Sequence, residues 1–268
     1  MKRFTRALIF AALTLLAVPA LAQGAKTQLT FYGQSAFLVT TPKGLHILID
    51  PWLSNPANPD KESASQLEKV DYILITHGHF DHVGEAIDIA KRTGAKLIAN
   101  ADLGATLVGA GYPADQATPM TLGNMGGPIK LNDEVTVVQV PAVHSSDFRK
   151  EPSGPGQAGG NPVGFVVQIA GGPTLYHTGD TDVFGDMSLI HSRFKPDLML
   201  ACIGGHYTMD PAGAALAATL IQPKQIVPMH YGTFPILDGT PGELRKQLQA
   251  HHSKATVVEM KAGETRSF

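Results

Sequence analysis

The segment Thr76-His77-Gly78-His79-Phe80-Asp81-His82-Val83-Gly84 constrains this chain more than any other part of it. The apolar run Tyr72–Thr76 leads straight into it and reads as a buried strand. Imidazole and carboxylate together suit Zn²⁺, Mn²⁺ or Fe. Gly78 lets the turn bring His77 and His79 to one side. A helix starting near His82 would turn Asp81 and His82 the other way, so one short loop would serve two metals. A lone His most often reads as a satisfied core or surface side chain. Three His and an Asp packed this closely at the end of a strand do not.

Further candidate ligands lie downstream, each just past a strand. His144 follows the run through Val140, Asp180 follows Tyr176-His177-Thr178-Gly179, and His230 follows Val227-Pro228-Met229. Strands deliver their terminal side chains to the rim of a sheet, where loops converge. Asp50, before Pro51, is placed to hydrogen-bond a ligand from behind and fix its orientation. His206 and Tyr207 sit in a Gly-rich turn where a substrate would be met, placed to stabilise an oxyanion or protonate a leaving group. Asp210 reads as the N-cap of the next helix. His177 is expected to be buried, His191, His251 and His252 to lie at the surface, and Cys202 to pack in an apolar strand.

The spacing predicts an opening meander over Leu29–Tyr32, Ala36–Thr40 and Leu45–Ile49, then a helix over Val83–Arg92, a strand over Lys96–Ala99 and a helix over Leu103–Ala110. The second half repeats the style. It has strands over Glu134–Val140, Gly164–Ile169, Thr174–His177, Asp197–Ile203, Gln225–Met229 and Thr256–Glu259, and helices over Pro211–Leu220 and Gly242–Ala250. Two sheet-plus-helix halves packed sheet to sheet follow from this order. Pro51–Gln66 and Ser145–Asn161 read as long loops, and the second is placed to border the cleft and help choose the substrate.

On these residues the chain resembles the metallo-β-lactamase superfamily. Thr76–Gly84, Val140–His144 and Tyr176–Thr181 carry the likeness. So do Ile203–Pro211 and Pro228–Thr233, which point to a metal-dependent hydrolase branch similar to ascorbate-phosphate lactonase-like proteins. The likeness spans about residues 29–260. It implies an α/β fold of the αββα sandwich type, with two mixed sheets face to face and helices outside. It also implies a binuclear site. His77, His79 and His144 would hold one metal, Asp81, His82 and His230 the other, and Asp180 would bridge them. The cofactors would be two divalent ions, zinc first, with manganese or iron as alternatives. The implied catalytic residues are Asp81 and Asp180, with His206 from its place in the turn, although the branch varies at His206. A metal-bridged hydroxide would then cleave a small ester, lactone or phosphoester.

Residues 1–22 read as a secretory signal peptide: a basic start (Lys2, Arg3, Arg6), an apolar stretch over Ala7–Val18, and Ala20-Leu21-Ala22 as cleavage site. The mature hydrolase domain would be 23–268, periplasmic or secreted, with no stable membrane anchor after cleavage. The sole Cys excludes an intramolecular disulfide framework, and removing the three basic residues takes the formal charge from −2 to −5. With no Lys/Arg cluster, that balance argues against nucleic acid and leaves a small molecule as the expected partner. Homo-oligomerisation is left open. The competing readings are a zinc β-lactamase, disfavoured by the carboxylate bridge, and a non-catalytic envelope metal-binding protein. A flavodiiron-type enzyme is disfavoured because no flavodoxin domain is attached and His79 stands where that group has Glu.

Overall fold

The computed structural model describes residues 26–150 and 153–268. The leader expected at 1–22 and its junction at Gln23 lie outside the described residues. Strands β1 (Gln28–Gly33), β2 (Ala36–Thr40), β3 (His46–Ile49), β4 (Tyr72–Leu74), β5 (Lys96–Asn100) and β6 (Leu122–Gly123) form most of the first sheet. Strands β7 (Pro128–Lys130) and β8 (Val135–Pro141) open the second, and β9 (Asp147–Phe148) and β10 (Gln157–Ala158) pair as a separate ribbon. The second sheet continues through β11 (Val163–Ile169), β12 (Thr174–His177), β13 (Leu198–Cys202), β14 (Gln225–Met229) and β15 (Thr256–Val257). Strand β16 (Thr265–Ser267) returns to pair with β1.

Each sheet begins antiparallel and ends parallel. In the first, β16-β1-β2-β3 are antiparallel neighbours and β3-β4-β5-β6 parallel ones. In the second, β7-β8-β11-β12 are antiparallel and β12-β13-β14-β15 parallel. This is the doubled plan expected from the alternation of segments. Both halves send the carboxyl ends of their parallel strands toward one rim, where ligands are commonly bound in α/β sheets.

Apolar side chains on both faces of the inner strands account for the layers. Ile47, Ile49, Leu74 and Ile98 join one buried cluster with Phe165, Val167 and Tyr176 of the other sheet. Their alternates Leu48, Ile73, Ile75 and Leu97 pack instead with Ala86, Ile89, Leu103 and Leu107. Those last four sit on helices Ala86–Thr93 and Ala101–Ala110. Burying each such side chain contributes roughly 1.5–3 kcal/mol. On the outer face of the second sheet, helices Met187–Phe194 and Pro211–Ile221 bring Ile190, Ala214 and Ala218 into the first cluster. No helix among the described residues is long and apolar enough to cross a membrane.

The helix expected over Val83–Arg92 is two pieces, Phe80–Val83 and Ala86–Thr93. Gly84 breaks it at φ +43°. A Cβ there would overlap the Pro51 carbonyl oxygen and Trp52 Cα. Only glycine allows this approach, and the break leaves Asp81 and His82 on a single short turn over the rim. The Ser145–Asn161 segment is not wholly loop, because it carries the β9–β10 ribbon. The Pro51–Gln66 segment is ordered by two buried asparagines. Asn55 Nδ2 donates to the Tyr32 and Trp52 carbonyls at 2.9 and 2.7 Å, and Asn58 Nδ2 to the Leu53 carbonyl at 2.7 Å.

Candidate metal centre

Strand β4 stops at Leu74 because the next residues turn their polar groups to Asp50. The Thr76 amide donates to Asp50 Oδ1 at 2.8 Å and the Thr76 hydroxyl to Asp50 Oδ2 at 2.7 Å. The same Oδ2 lies 2.7 Å from His82 Nδ1. Thr76 Oγ1 also lies 3.0 Å from His77 Nδ1. With a hydroxyl and a carboxylate oxygen as acceptors, Nδ1 of His77 and of His82 is placed to carry a proton, and Nε2 of each ring faces the site as the atom a cation would take.

Two groups of candidate ligands result: His77, His79 and His144, and beside them Asp81, His82, Asp180 and His230. Asp180 reaches both. Its Oδ2 is 3.9 Å from His77 Nε2, 3.7 Å from His144 Nε2 and 3.0 Å from His230 Nε2, while its Oδ1 is 3.2 Å from His82 Nε2. His79 turns its other nitrogen inward, with Nδ1 3.0 Å from His77 Nε2. Its outer Nε2 faces Asp147 Oδ1 at 3.4 Å.

The donor set fits divalent cations on an observation independent of any likeness. His82 Nε2, Asp180 Oδ1 and both ring nitrogens of His230 are buried without an aligned hydrogen bond, although Asp180 stands 3.0–3.2 Å from the two Nε2 atoms. Orphaned polar atoms of this kind are costly unless a ligand satisfies them. Nitrogen and carboxylate oxygen from His and Asp are the ligands that zinc, manganese and iron share.

The electrostatics separate the two groups. Burial pushes His77 and His144 below the usual imidazole range, and neighbouring imidazoles add to the effect. Both therefore present a free lone pair at neutral pH. Burial acts the same way on His82 and His230, but the facing carboxylates together outweigh it, Asp180 foremost with Asp81 and, for His82, Asp50, so His82 is raised and His230 reaches about 9. Burial would raise Asp81 and Asp180. The facing imidazoles win instead, holding Asp180 well below the carboxylate range and Asp81 at about 2.

The beta-lactamase superfamily domain model matches residues 46–231. The chain belongs to that superfamily. A UPF0173 metal-dependent hydrolase of Anaeromyxobacter dehalogenans is 57% identical over 94% of this chain and 90% of its own length. Another, from Thermodesulfovibrio yellowstonii, is 49% identical over 96% of this chain and 97% of that one. Among solved structures, Igni18, a metallo hydrolase of Ignicoccus hospitalis, superposes with a TM-score of 0.77 at 36% identity, covering 91% of this chain and 99% of that chain. The protein is accordingly a metal-dependent hydrolase with the metallo-β-lactamase fold, two mixed sheets with helices outside.

The cluster gathers His77, His79, Asp81 and His82 with His144, Asp180 and His230, and further residues surround it. Asp50 stands behind His82, its Oδ2 2.7 Å from Nδ1. Tyr207 is 58% exposed and lines the cleft above the cluster. His206, expected to meet the substrate, is exposed and absent from the lining, its ring edge-on to Tyr207 at 4.4 Å. The turn holds His206 at φ +59° and directs Tyr207 over the site instead. Asp210 is the helix N-cap, accepting from the Gly213 amide at 2.7 Å. His177 is buried and bonded to the Ser35 carbonyl at 3.0 Å; His251 and His252 are exposed, and His191 is half-buried against the Ile221 carbonyl at 2.8 Å.

Two residues at the site escape the sequence pattern. Gln34, at φ +51° after Gly33, donates from Nε2 to Asp81 Oδ2 at 2.9 Å, and its carbonyl accepts from the His230 amide at 2.8 Å. The Gly33-Gln34 pair reads only as a hairpin turn. Asp147 is brought to His79 by the β9–β10 ribbon, whose strands are too short to announce themselves.

Proposed function

We propose that this protein is an exported, binuclear hydrolase acting on a small ester, lactone or phosphoester. The observation that carries the reading is Asp180, wedged between two adjoining sets of inward-facing donors at the floor of one cleft. His77, His79 and His144 would hold one cation, and Asp81, His82 and His230 the other, with Asp180 shared. Zinc is the first candidate, manganese and iron the alternatives. When bound, such a pair acidifies a shared water and polarises the scissile bond.

The chain's own residues prepare that chemistry. Asp81 and Asp180 are held ionised, so neither needs to lose a proton near neutral pH. Asp50 and Thr76 fix the His82 and His77 rings from behind, and Gln34 holds Asp81. Tyr207 lines the same cleft, and its hydroxyl is the group we assign to stabilising a developing oxyanion or protonating the leaving group. Cys202 is no rival nucleophile. It is fully buried, and burial pushes its thiol up to about 11.

The test is reconstitution of the stripped protein with Zn²⁺, Mn²⁺ or Fe²⁺, followed by lactones, carboxylic esters, phosphoesters and a chromogenic cephalosporin. The reading expects metal-dependent turnover within the first three classes and none of the cephalosporin. Turnover of the cephalosporin alone, or tight metal binding with no turnover of any class, would overturn it. Fractionation of a Gram-negative host checks export, with the protein expected in the periplasm.

A further inference from the structure

The cleft above the ligand cluster has a volume of about 780 Å³, within the size range of small-molecule sites. Its lining is chemically divided. Phe80 and Phe234 form an apolar part of the lining, and the Trp52 ring packs behind them, stacked on Phe234 at 5.9 Å and edge-on to Phe80 at 5.4 Å. Phe80 is 62% exposed and Ile236 45% exposed, and both line the cleft. Large apolar side chains gathered at a concave mouth gain free energy only when something covers them. Phe80 directly follows the ligand His79, so this wall stands at the edge of the floor.

Another part of the lining is charged. The residues after β9 bring Arg149 and Lys150 to the lining beside Asp147. Arg149 Nε donates to Asp147 Oδ2 at 2.8 Å, while the other oxygen of that carboxylate faces His79 at 3.4 Å. Asp147 thus joins the ligand cluster to the cationic rim. Among the described lining residues of this rim, two cations face one anion. With Arg149 paired to Asp147, Lys150 leaves this part of the lining one positive charge in excess in a formally acidic protein.

We propose that the cleft selects amphipathic anions. The substrate is an ester or lactone whose acyl or aryl body lies on Phe80, Phe234 and Ile236, with Trp52 packed behind the two rings, and whose remote carboxylate or phosphate meets Arg149 and Lys150. This rests on the hydrolase reading of the same site and narrows it. The apolar wall supplies most of the affinity, because it buries area. The rim supplies the discrimination, because a neutral analogue gains nothing from the cations.

Trp52 is the sole tryptophan of the chain and packs on both Phe80 and Phe234, so its emission reports occupancy of the wall without any turnover. The probes are 4-phenylbutyrate and its neutral amide, titrated into the metal-free protein. The acid should bind about fivefold tighter than the amide, the scale of a favourable exposed charge contact. Salt should shrink that preference. The Arg149→Ala/Lys150→Ala double variant should lose it, Lys150→Arg should keep it, and Phe80→Ala should weaken both probes alike. Equal binding of acid and amide by the wild type overturns the proposal, as does a preference that survives in the double variant. The hydrolase reading fails separately. If the metal-loaded wild type cleaves no ester, lactone or phosphoester while the binding preference holds, the reaction is wrong and the anion site stands.

Discussion

Replacing Asp50 by Asn probes how the centre is held. Asp50 is fully buried, with one oxygen taken by the Thr76 amide and the other shared by the Thr76 hydroxyl and His82 Nδ1. Its backbone sits at φ +47°, a region that asparagine tolerates. The amide oxygen can still accept from the Thr76 N–H, but the NH₂ group then meets the Nδ1–H of His82, donor against donor. The ring escapes by moving its proton to Nε2, which points that proton at Asp180 Oδ1, 3.2 Å away. The lone pair is lost from the half-site formed by Asp81, His82 and His230. Removing a partner that orients a ligand typically costs about 10–100-fold in metal affinity, or about 1.4–2.7 kcal/mol. Buried polar mismatch costs about 1–3 kcal/mol of folding stability, against roughly 5–15 in total, so the variant still folds. Titrating stripped protein with Zn²⁺ against a fluorescent chelator reads the two half-sites, and thermal unfolding reads the stability. Wild-type affinity at both half-sites in Asp50→Asn would refute this account of how His82 is oriented.

Metal uptake should depend on pH. His82 and His230 are both raised, His230 to about 9, so both keep a proton at pH 7 in the metal-free protein, and apparent affinity at their half-site should rise at least about 100-fold from pH 7 to 9; a flat profile would contradict this. The sign for stability is opposite. A raised folded-state value stabilises fully below the unfolded 6.5 and is lost through about 9, so the Tm of stripped protein should fall across that window. Gly84→Ala should unfold several degrees lower or fail to accumulate, since its Cβ would strike the Pro51–Trp52 backbone at a positive φ; an unchanged Tm would show that the chain relaxes there. Intact-mass analysis of secreted material should give a chain beginning at Gln23, and retention of Met1 would remove the leader proposal.

Periodicity and strand-end chemistry made much of the molecule readable. The doubled sheet plan, the apolar run into His77 and the placement of Asp180 and His230 after parallel strands all came from local pattern. What stayed hidden depends on long-range contact. Strand β16, with the sequence Thr265-Arg266-Ser267, is exposed throughout and is a strand only because β1 lies beside it. The break at Gly84 arises from the Pro51–Trp52 backbone, distant in sequence. Gln34 and Asp147 look like turn residues until the fold sets them against Asp81 and His79. His206 and Tyr207 are adjacent, and nothing local says which of them a turn at positive φ will aim at the cleft.

The central claim is that Asp180 joins two half-sites into one centre. Elemental analysis of reconstituted wild type and Asp180→Ala, each assayed for turnover on the same substrate, tests it most directly. The account predicts two metal ions per wild-type chain, less than one retained by the variant, and no turnover from it. Full activity from Asp180→Ala, or from metal-free wild type, would contradict it.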